Sequence, residues 1–276
     1  MSGSIQIHKA PKVALLECSD VLEYRRKQWS LDKPKQAWLC DLDRDVAALC
    51  DYLHVLDHDE APKVRQRWSK LRIKLYPAIV WVNLIDAMQE DFGNKQLKRL
   101  AGPVERLSDH AMLKVDRCLT KKEWARVRRW WYGFTDSLTE ESGYLQLSDE
   151  RLSKAHHRII KTRDRALKKS ADVTWHKLLE ATVDIRLLVQ LDNAGADLQS
   201  DIELVSICHL VESNLVAWRL ANDIAASART VAQSPELDAE NKIIEQLNRF
   251  SARQHNDAYR YLEVTRDLIA ATAFNF

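Results

Sequence analysis

From residue 36 to residue 57 the apolar side chains fall at 38, 39, 42, 46, 49, 50, 53 and 56, the three-and-four spacing that lines one face of a helix. Similar stretches recur down the chain. Residues 64–90 read as one or two helices, with Pro77 marking a start or a kink because it has no amide to donate. Gly93-Asn94 reads as the stop of that segment. Residues 95–119 predict an amphipathic helix with Gly102-Pro103 as its breakable point, and residues 121–141 predict another. Ser148, followed by Asp149 and Glu150, has the character of an N-cap with acids in the first turn, opening a helix to Lys168. Residues 172–192 are apolar at 175, 178, 179, 183, 185, 187, 188 and 189, and Asn193-Ala194-Gly195 closes them. Residues 198–230 give one long helix or two, and residues 235–271 hold the last one or two. Residues 1–35 are mixed in character and are expected to form an irregular N-terminal segment ending near Pro34.

About ten helices without a convincing strand predict an all-α fold. Residues 36–276 then form one domain, a helical bundle around a central cavity. Composition agrees: with 6 Gly and 6 Pro in 276 residues, turn-formers are too few for an all-β chain or a run of βα units. A formal net charge of +2 provides no overall field directed at nucleic acid or membrane. The five cysteines, at 18, 40, 50, 118 and 208, form no CxxC pair and read as reduced, mostly buried thiols. The N-terminus lacks a signal-peptide core, and no run approaches the ~20 apolar residues of a membrane span, so a cytoplasmic protein is expected.

One stretch draws attention to chemistry. Residues 76–90 (YPAIVWVNLIDAMQE) carry no charge until Asp86, and Glu90 follows one turn later on the same face, with Asp91 beside it. They form either a buried helix emerging into solvent or a metal-binding rim above an apolar cavity. A second polar spot, Asn222-Asp223, interrupts the apolar run Leu220, Ala221, Ile224, Ala225, Ala226. Asn and Asp compete for backbone hydrogen bonds in a helix interior, so the pair marks either a satisfied buried amide or a site. Asp51, His54 and His58 share one helix face at a spacing open to a transition metal, though a solvated face is the preferred reading of them. Arg126, Arg128, Arg129, Trp130 and Trp131 mix basic and aromatic residues as nucleic-acid binders do. With so small a net charge, a helix with Trp in the core is the preferred reading of them. No Walker, G-x-S-x-G or G-x-G-x-x-G sequence is present.

Over residues 60–271 the chain resembles the class I terpene synthases of the bacterial type. In that family an aspartate-rich D-D-x-x-D motif and a later N-D-x-x-S-x-x-x-E motif face one another. Asp86 and Asn222 would open them, and their separation of 136 residues (222 − 86) is typical of the family. The resemblance implies Mg²⁺ held by Asp86, Glu90, Asn222 and Asp223, which would also be the catalytic residues. It implies a prenyl diphosphate gripped near His176, Lys177 and Arg229, and a pocket walled by Trp81, Val82, Asn83 and Trp218. Metal ions would neutralise the leaving diphosphate, and aromatic walls would shelter the carbocation. A homodimer is a common arrangement in the family.

The motifs depart from the family pattern. The early one reads D-A-M-Q-E, with Ala87 where an acid belongs. The later one reads N-D-I-A-A-S-A-R-T, with Ala226 at the Ser position, Thr230 at the Glu position and Arg229 among the ligands. His176 or Lys177 stands nearest the diphosphate-sensing Arg, and the chain ends A-F-N-F without the family's Arg-Tyr pair. Losing an oxygen ligand and gaining a cation weakens Mg²⁺ binding, at the second site above all. Two functions are therefore expected as alternatives. One is a divergent Mg²⁺-dependent terpene synthase. The other is the same fold with its metal chemistry lost, binding an isoprenoid, another apolar small molecule or a partner, or catalysing a different reaction.

Overall fold

A computed structural model of the protein describes residues 10–31, 36–139, 142–146, 148–169, 171–193 and 199–272. Among them nine α-helices follow one another: α1 (Pro11–Leu31), α2 (Gln36–Val55), α3 (Ala61–Asp91), α4 (Asn94–Leu119), α5 (Lys121–Ser137), α6 (Asp149–Lys168), α7 (Asp172–Asn193), α8 (Gln199–Ala232) and α9 (Asn241–Ala271). A single 3-10 turn, Pro235–Leu237, links the last two. The one β-type pairing among the described residues is an isolated bridge from Leu56 to Tyr144.

The expectation of an irregular segment over residues 1–35 is corrected by α1. Pro11 stands at its first position, where a missing amide costs nothing. Leu15 and Leu22 are 1% exposed and, with Trp29 seven residues on, make a narrow stripe against α2. Polar clamps fix it: Arg25 pairs with Asp41 and Asp45 at 3.3 and 3.0 Å, and the Trp38 indole donates to the Arg25 carbonyl at 3.1 Å. Tertiary contacts thus hold a helix whose own amphipathicity is weak.

Neither internal proline ends a helix. Pro77 lies inside α3 on an exposed face, and the carbonyl it leaves without a partner belongs to Ile73, which is 71% exposed and open to water. Pro103 lies inside α4, and the freed Arg99 carbonyl is likewise on an exposed residue. Gly93 does not end α3 through a left-handed turn; with φ −69° it caps the start of α4, and Gln96 Oε1 accepts its amide at 3.0 Å. Ser148 caps α6 as expected, its hydroxyl accepting from the Arg151 amide at 3.3 Å. Ala194 and Gly195 lie outside the described residues.

Three apolar cores meet along the bundle. Leu39, Leu42, Val46 and Leu49 of α2 pack on Trp68 and Leu75 of α3. Trp175, Leu178 and Ile185 of α7 pack on Cys208, Leu215 and Trp218 of α8. Leu84 and Met88 of α3 pack on Ala228 and Val231 of α8 and Leu247 and Phe250 of α9. Helices α8 and α9 run antiparallel, pinned by the Ser251 hydroxyl on the Ala225 carbonyl at 2.8 Å. No described helix is long and apolar enough to cross a membrane.

Candidate functional site

The residues expected at one metal rim have other partners. Asp223 Oδ2 accepts the Tyr76 hydroxyl at 2.7 Å and lies 3.9 Å from Arg219 Nε. The Arg219 guanidinium in turn sits 4.1 Å from the centre of the Tyr76 ring. Burial, and then the bond to Asp223, pushes the Tyr76 phenol well above its ordinary range. Asn222 Oδ1 meets His255 Nδ1 at 3.1 Å. Asp86 and Glu90 are exposed on α3, and Asp86 lies ten residues beyond Tyr76 (86 − 76), or about 15 Å along the helix axis. Their neighbour Asp91 is paired with Arg253, and its carbonyl accepts from Gln246 at 2.8 Å.

Mg²⁺ needs near-octahedral oxygens at close range. Among the described residues no group of three or more His, Cys, Asp or Glu could hold a metal ion. Asp223 is committed to a phenol and a guanidinium, and Arg229 is exposed on the last turn of α8. These residues do not fit a multinuclear Mg²⁺ site. The spacing of Asp86 and Asn222 matches the family pattern, but the register of α3 against α8 puts Tyr76, and not Asp86, against Asp223.

The other expected residues divide among core and surface. Trp81 is half-buried between two apolar cores, Val82 is 6% exposed, and Asn83 bonds back to the Ile79 carbonyl at 2.7 Å. Trp218 is buried and meets His176 edge to face at 5.5 Å, while His176 Nδ1 bonds the Asp172 carbonyl. Lys177 is exposed and lines a pocket at the α6–α7 junction. Asp51, His54 and His58 do not converge. Asp51 reaches Arg186, His54 reaches Arg65 and Asp184, and His58 Nδ1 accepts from the Glu60 amide at 3.1 Å.

Where α2, α7 and α8 meet, the structure holds a charge cluster that the sequence reading passed over. Arg186 is 1% exposed; its Nε donates to Glu212 at 2.6 Å, Nη2 to Asp51 at 3.2 Å and Nη1 to Gln190 at 3.0 Å. Burial pushes both carboxyls up, and Arg186 offsets part of this. Next to it, His54 Nδ1 faces Arg65 Nη1 at 2.5 Å. A guanidinium can only donate, so Nδ1 is the acceptor and Nε2 carries the proton toward Asp184 at 3.2 Å. Burial, followed by Arg65 and Arg158, pushes His54 down to about 4. Burial pushes Asp184 up as well, and Arg158 pairs with it. Arg186 could have been found in the sequence: it stands among Ile185, Leu187, Leu188 and Val189, which are apolar all round the helix and so bury it.

A groove of about 860 Å³ runs between the first half of α3, the end of α4 and α5. Six cations line it (Arg67, Lys70, Lys74, Arg117, Lys122, Arg126) against one carboxylate, Glu123, which takes Arg126 at 3.6 Å. Its apolar wall is Trp68, Trp124, Trp130, Leu71 and Val127. Trp68 meets Trp124 and Trp130 at centroid distances of 6.3 and 5.9 Å, and Arg67 lies over Trp130 at 4.8 Å. Trp68 is 3% exposed, and its indole N–H has no acceptor among the described residues. A buried donor left without a partner is costly, and an oxygen-bearing ligand would satisfy it. Thr120 caps α5 at the edge of this groove, accepting the Glu123 amide at 3.4 Å.

No family model matches the sequence, and no curated protein matches it. Among solved structures the chain is similar to PptA from Streptomyces chartreusis, at 14% identity and a TM-score of 0.63, over 95% of this chain and 97% of that one. That likeness is one of fold. The all-α fold expected from the sequence is the one observed, and PptA shares it.

Proposed function

We propose that this protein uses a terpene synthase-like fold to bind an amphipathic anion of the prenyl diphosphate class, without ionising it through Mg²⁺. The groove between α3 and α5 carries the reading. Six cations against one acid suit a diphosphate head, and three tryptophans with Leu71 and Val127 suit an isoprenoid or similar apolar body. Trp68 forms part of that apolar wall, and its buried indole N–H has no acceptor among the described residues. The commitment of Asp223 to Tyr76 and Arg219 argues against the alternative, a Mg²⁺-dependent terpene synthase built on Asp86, Glu90, Asn222 and Asp223.

Tryptophan fluorescence tests both readings, because three of the nine tryptophans line the groove. Farnesyl diphosphate is expected to quench it in EDTA, and farnesol much less. Incubation with ten-, fifteen- and twenty-carbon prenyl diphosphates and Mg²⁺ is expected to give neither a terpene nor free diphosphate. Absence of binding in EDTA sinks the proposal. A hydrocarbon formed only with Mg²⁺ replaces it with the synthase.

A further inference from the structure

A second basic cavity lies where α6 ends and α7 begins, and it shares no lining residue with the groove. It measures about 440 Å³ and is lined by Arg165, Lys168, Lys169 and Lys177 with Thr162 and Thr174. All four cations are exposed, and no described carboxylate lies within ion-pair distance of any of them. Asp164, one residue before Arg165, is taken by Arg163 at 3.0 Å, and Glu180, three residues after Lys177, faces Arg158 at 3.4 Å. Those two acids are thus spent on other cations, and the exposed Asp172 in the first turn of α7 lies outside ion-pair distance of the four. Both threonine hydroxyls are also engaged: Thr162 donates to the Ile159 carbonyl at 3.0 Å and Thr174 to the Lys169 carbonyl at 2.7 Å. The cavity therefore presents ammonium and guanidinium donors.

The C-terminal dipole of α6 explains Arg165, Lys168 and Lys169, because cations near a helix C-terminus are favoured. It does not explain Lys177, which comes from the second turn of α7, close to that helix's positive end. Gathering it with three other cations around one hollow raises a like-charge cost that an anion relieves. We infer that this cavity is a phosphate-group site, independent of the groove, taking a dianionic phosphate or diphosphate that is either free or the headgroup of a lipid. Lys177, expected from the sequence to touch diphosphate, would do so here with partners from α6 and not beside His176 and Arg229.

Calorimetric titration with inorganic diphosphate tests the site, using the full chain, the Lys168→Ala/Lys177→Ala variant and a Lys98→Ala/Lys114→Ala control on α4, outside both the cavity and the groove. The four side chains are exposed, and unchanged far-ultraviolet circular dichroism will confirm that each variant folds. The α6–α7 variant is expected to weaken binding roughly tenfold or more while the control leaves it intact. Sedimentation with vesicles containing a phosphorylated inositol lipid, against vesicles of phosphatidylcholine, separates the two sources. Dependence on Lys168 and Lys177 seen only with the first vesicles assigns the site to a headgroup. No binding in either arm, no weakening in the α6–α7 variant, or equal weakening in the control overturns the inference. Quenching by farnesyl diphosphate is read separately, so either proposal can fail alone.

Discussion

Arg186 donates from Nε to Glu212 at 2.6 Å in a part of the bundle where the arginine side chain is 1% exposed. Asp51 completes a group of one cation and two carboxylates that ties α2, α7 and α8 together. Removing one partner from such a group strands charge in a region of low polarity, whereas replacing all of it with apolar residues is often tolerated. Arg186→Leu should therefore cost about 3–5 kcal/mol in urea denaturation, because two carboxylates are left facing one another. Glu212→Gln keeps an acceptor for Nε and leaves a one-to-one pair, so it should change stability by no more than about 1 kcal/mol at neutral pH. Substituting Met at 186 with Leu at 51 and 212 should recover at least half of the Arg186→Leu loss. A triple variant no more stable than Arg186→Leu would show that the cluster does more than compensate its own burial.

The Tyr76–Asp223 bond gives the second prediction. Tyr76→Phe removes a part-buried hydroxyl from a carboxylate and should cost about 1 kcal/mol, while Asp86→Ala, at an exposed position, should stay within about 0.5 kcal/mol. If Asp86 and Asp223 shared a metal, the wild-type protein would show a rise in melting temperature on adding Mg²⁺ and diphosphate together, and Asp86→Ala would abolish it. The expectation here is that the wild-type protein gives no Mg²⁺-dependent rise, and that Asp86→Ala leaves binding of farnesyl diphosphate unchanged.

His54 makes stability depend on pH in a calculable direction. Unfolded, it takes a proton near 6.5; folded, it does so only near 4. Between these values the unfolded chain binds more protons, so the stability that His54 contributes is present above 6.5 and is lost as pH falls toward 4. The full loss is about 3 kcal/mol as an upper value, for a side chain 23% exposed. Asp51, Asp184 and Glu212 act in the opposite sense: their folded values are raised, so their contribution falls as pH climbs from the ordinary carboxylate range. Comparing wild type with His54→Gln isolates the histidine, since Gln can both accept from Arg65 and donate to Asp184. Urea midpoints should converge or cross as pH drops from 7 to 4. Parallel curves would refute the assignment.

Much of this fold was legible because helix starts and stops are local chemistry. The stripe at 36–57 became α2, and Ser148 capped α6 where its hydroxyl and the following acids said it would. What was not legible depends on neighbours. Pro77 reads as a start or a kink until the carbonyl it frees is known to belong to the exposed Ile73, and α1 reads as irregular until Leu15 and Leu22 have α2 to pack on. The candidate site suffered most. Identifying a rim from Asp86 and Asn222 assumes a register between α3 and α8, and register is fixed by interlocking side chains on both helices, which the i, i+4 rule does not encode. The groove was half visible: Arg126 and Trp130 stood out on α5, but their partners Arg67, Lys70 and Lys74 lie about fifty to sixty residues earlier on α3, beyond the reach of any local spacing rule.

The groove also predicts how binding responds to salt and to substitution. Its cations outnumber its acids six to one, and Lys70, Lys74 and Lys122 extend from a wall of indole rings. Exposed charges interact over about 8 Å at physiological ionic strength and over about 3 Å at molar salt. Binding of farnesyl diphosphate should therefore weaken steadily as NaCl is raised, while the residual affinity at high salt reports the apolar wall. Lys70→Ala/Lys74→Ala should lower affinity at low salt and flatten the salt dependence. Trp130→Ala removes the ring under Arg67 and should lower affinity at all salt concentrations by about 1–2 kcal/mol, with little effect on the slope. That separation is the signature of an amphipathic ligand. A purely electrostatic partner would lose nearly all of its affinity at high salt and respond little to Trp130→Ala, and an oligonucleotide that displaced farnesyl diphosphate at low salt would identify a nucleic acid as the natural occupant.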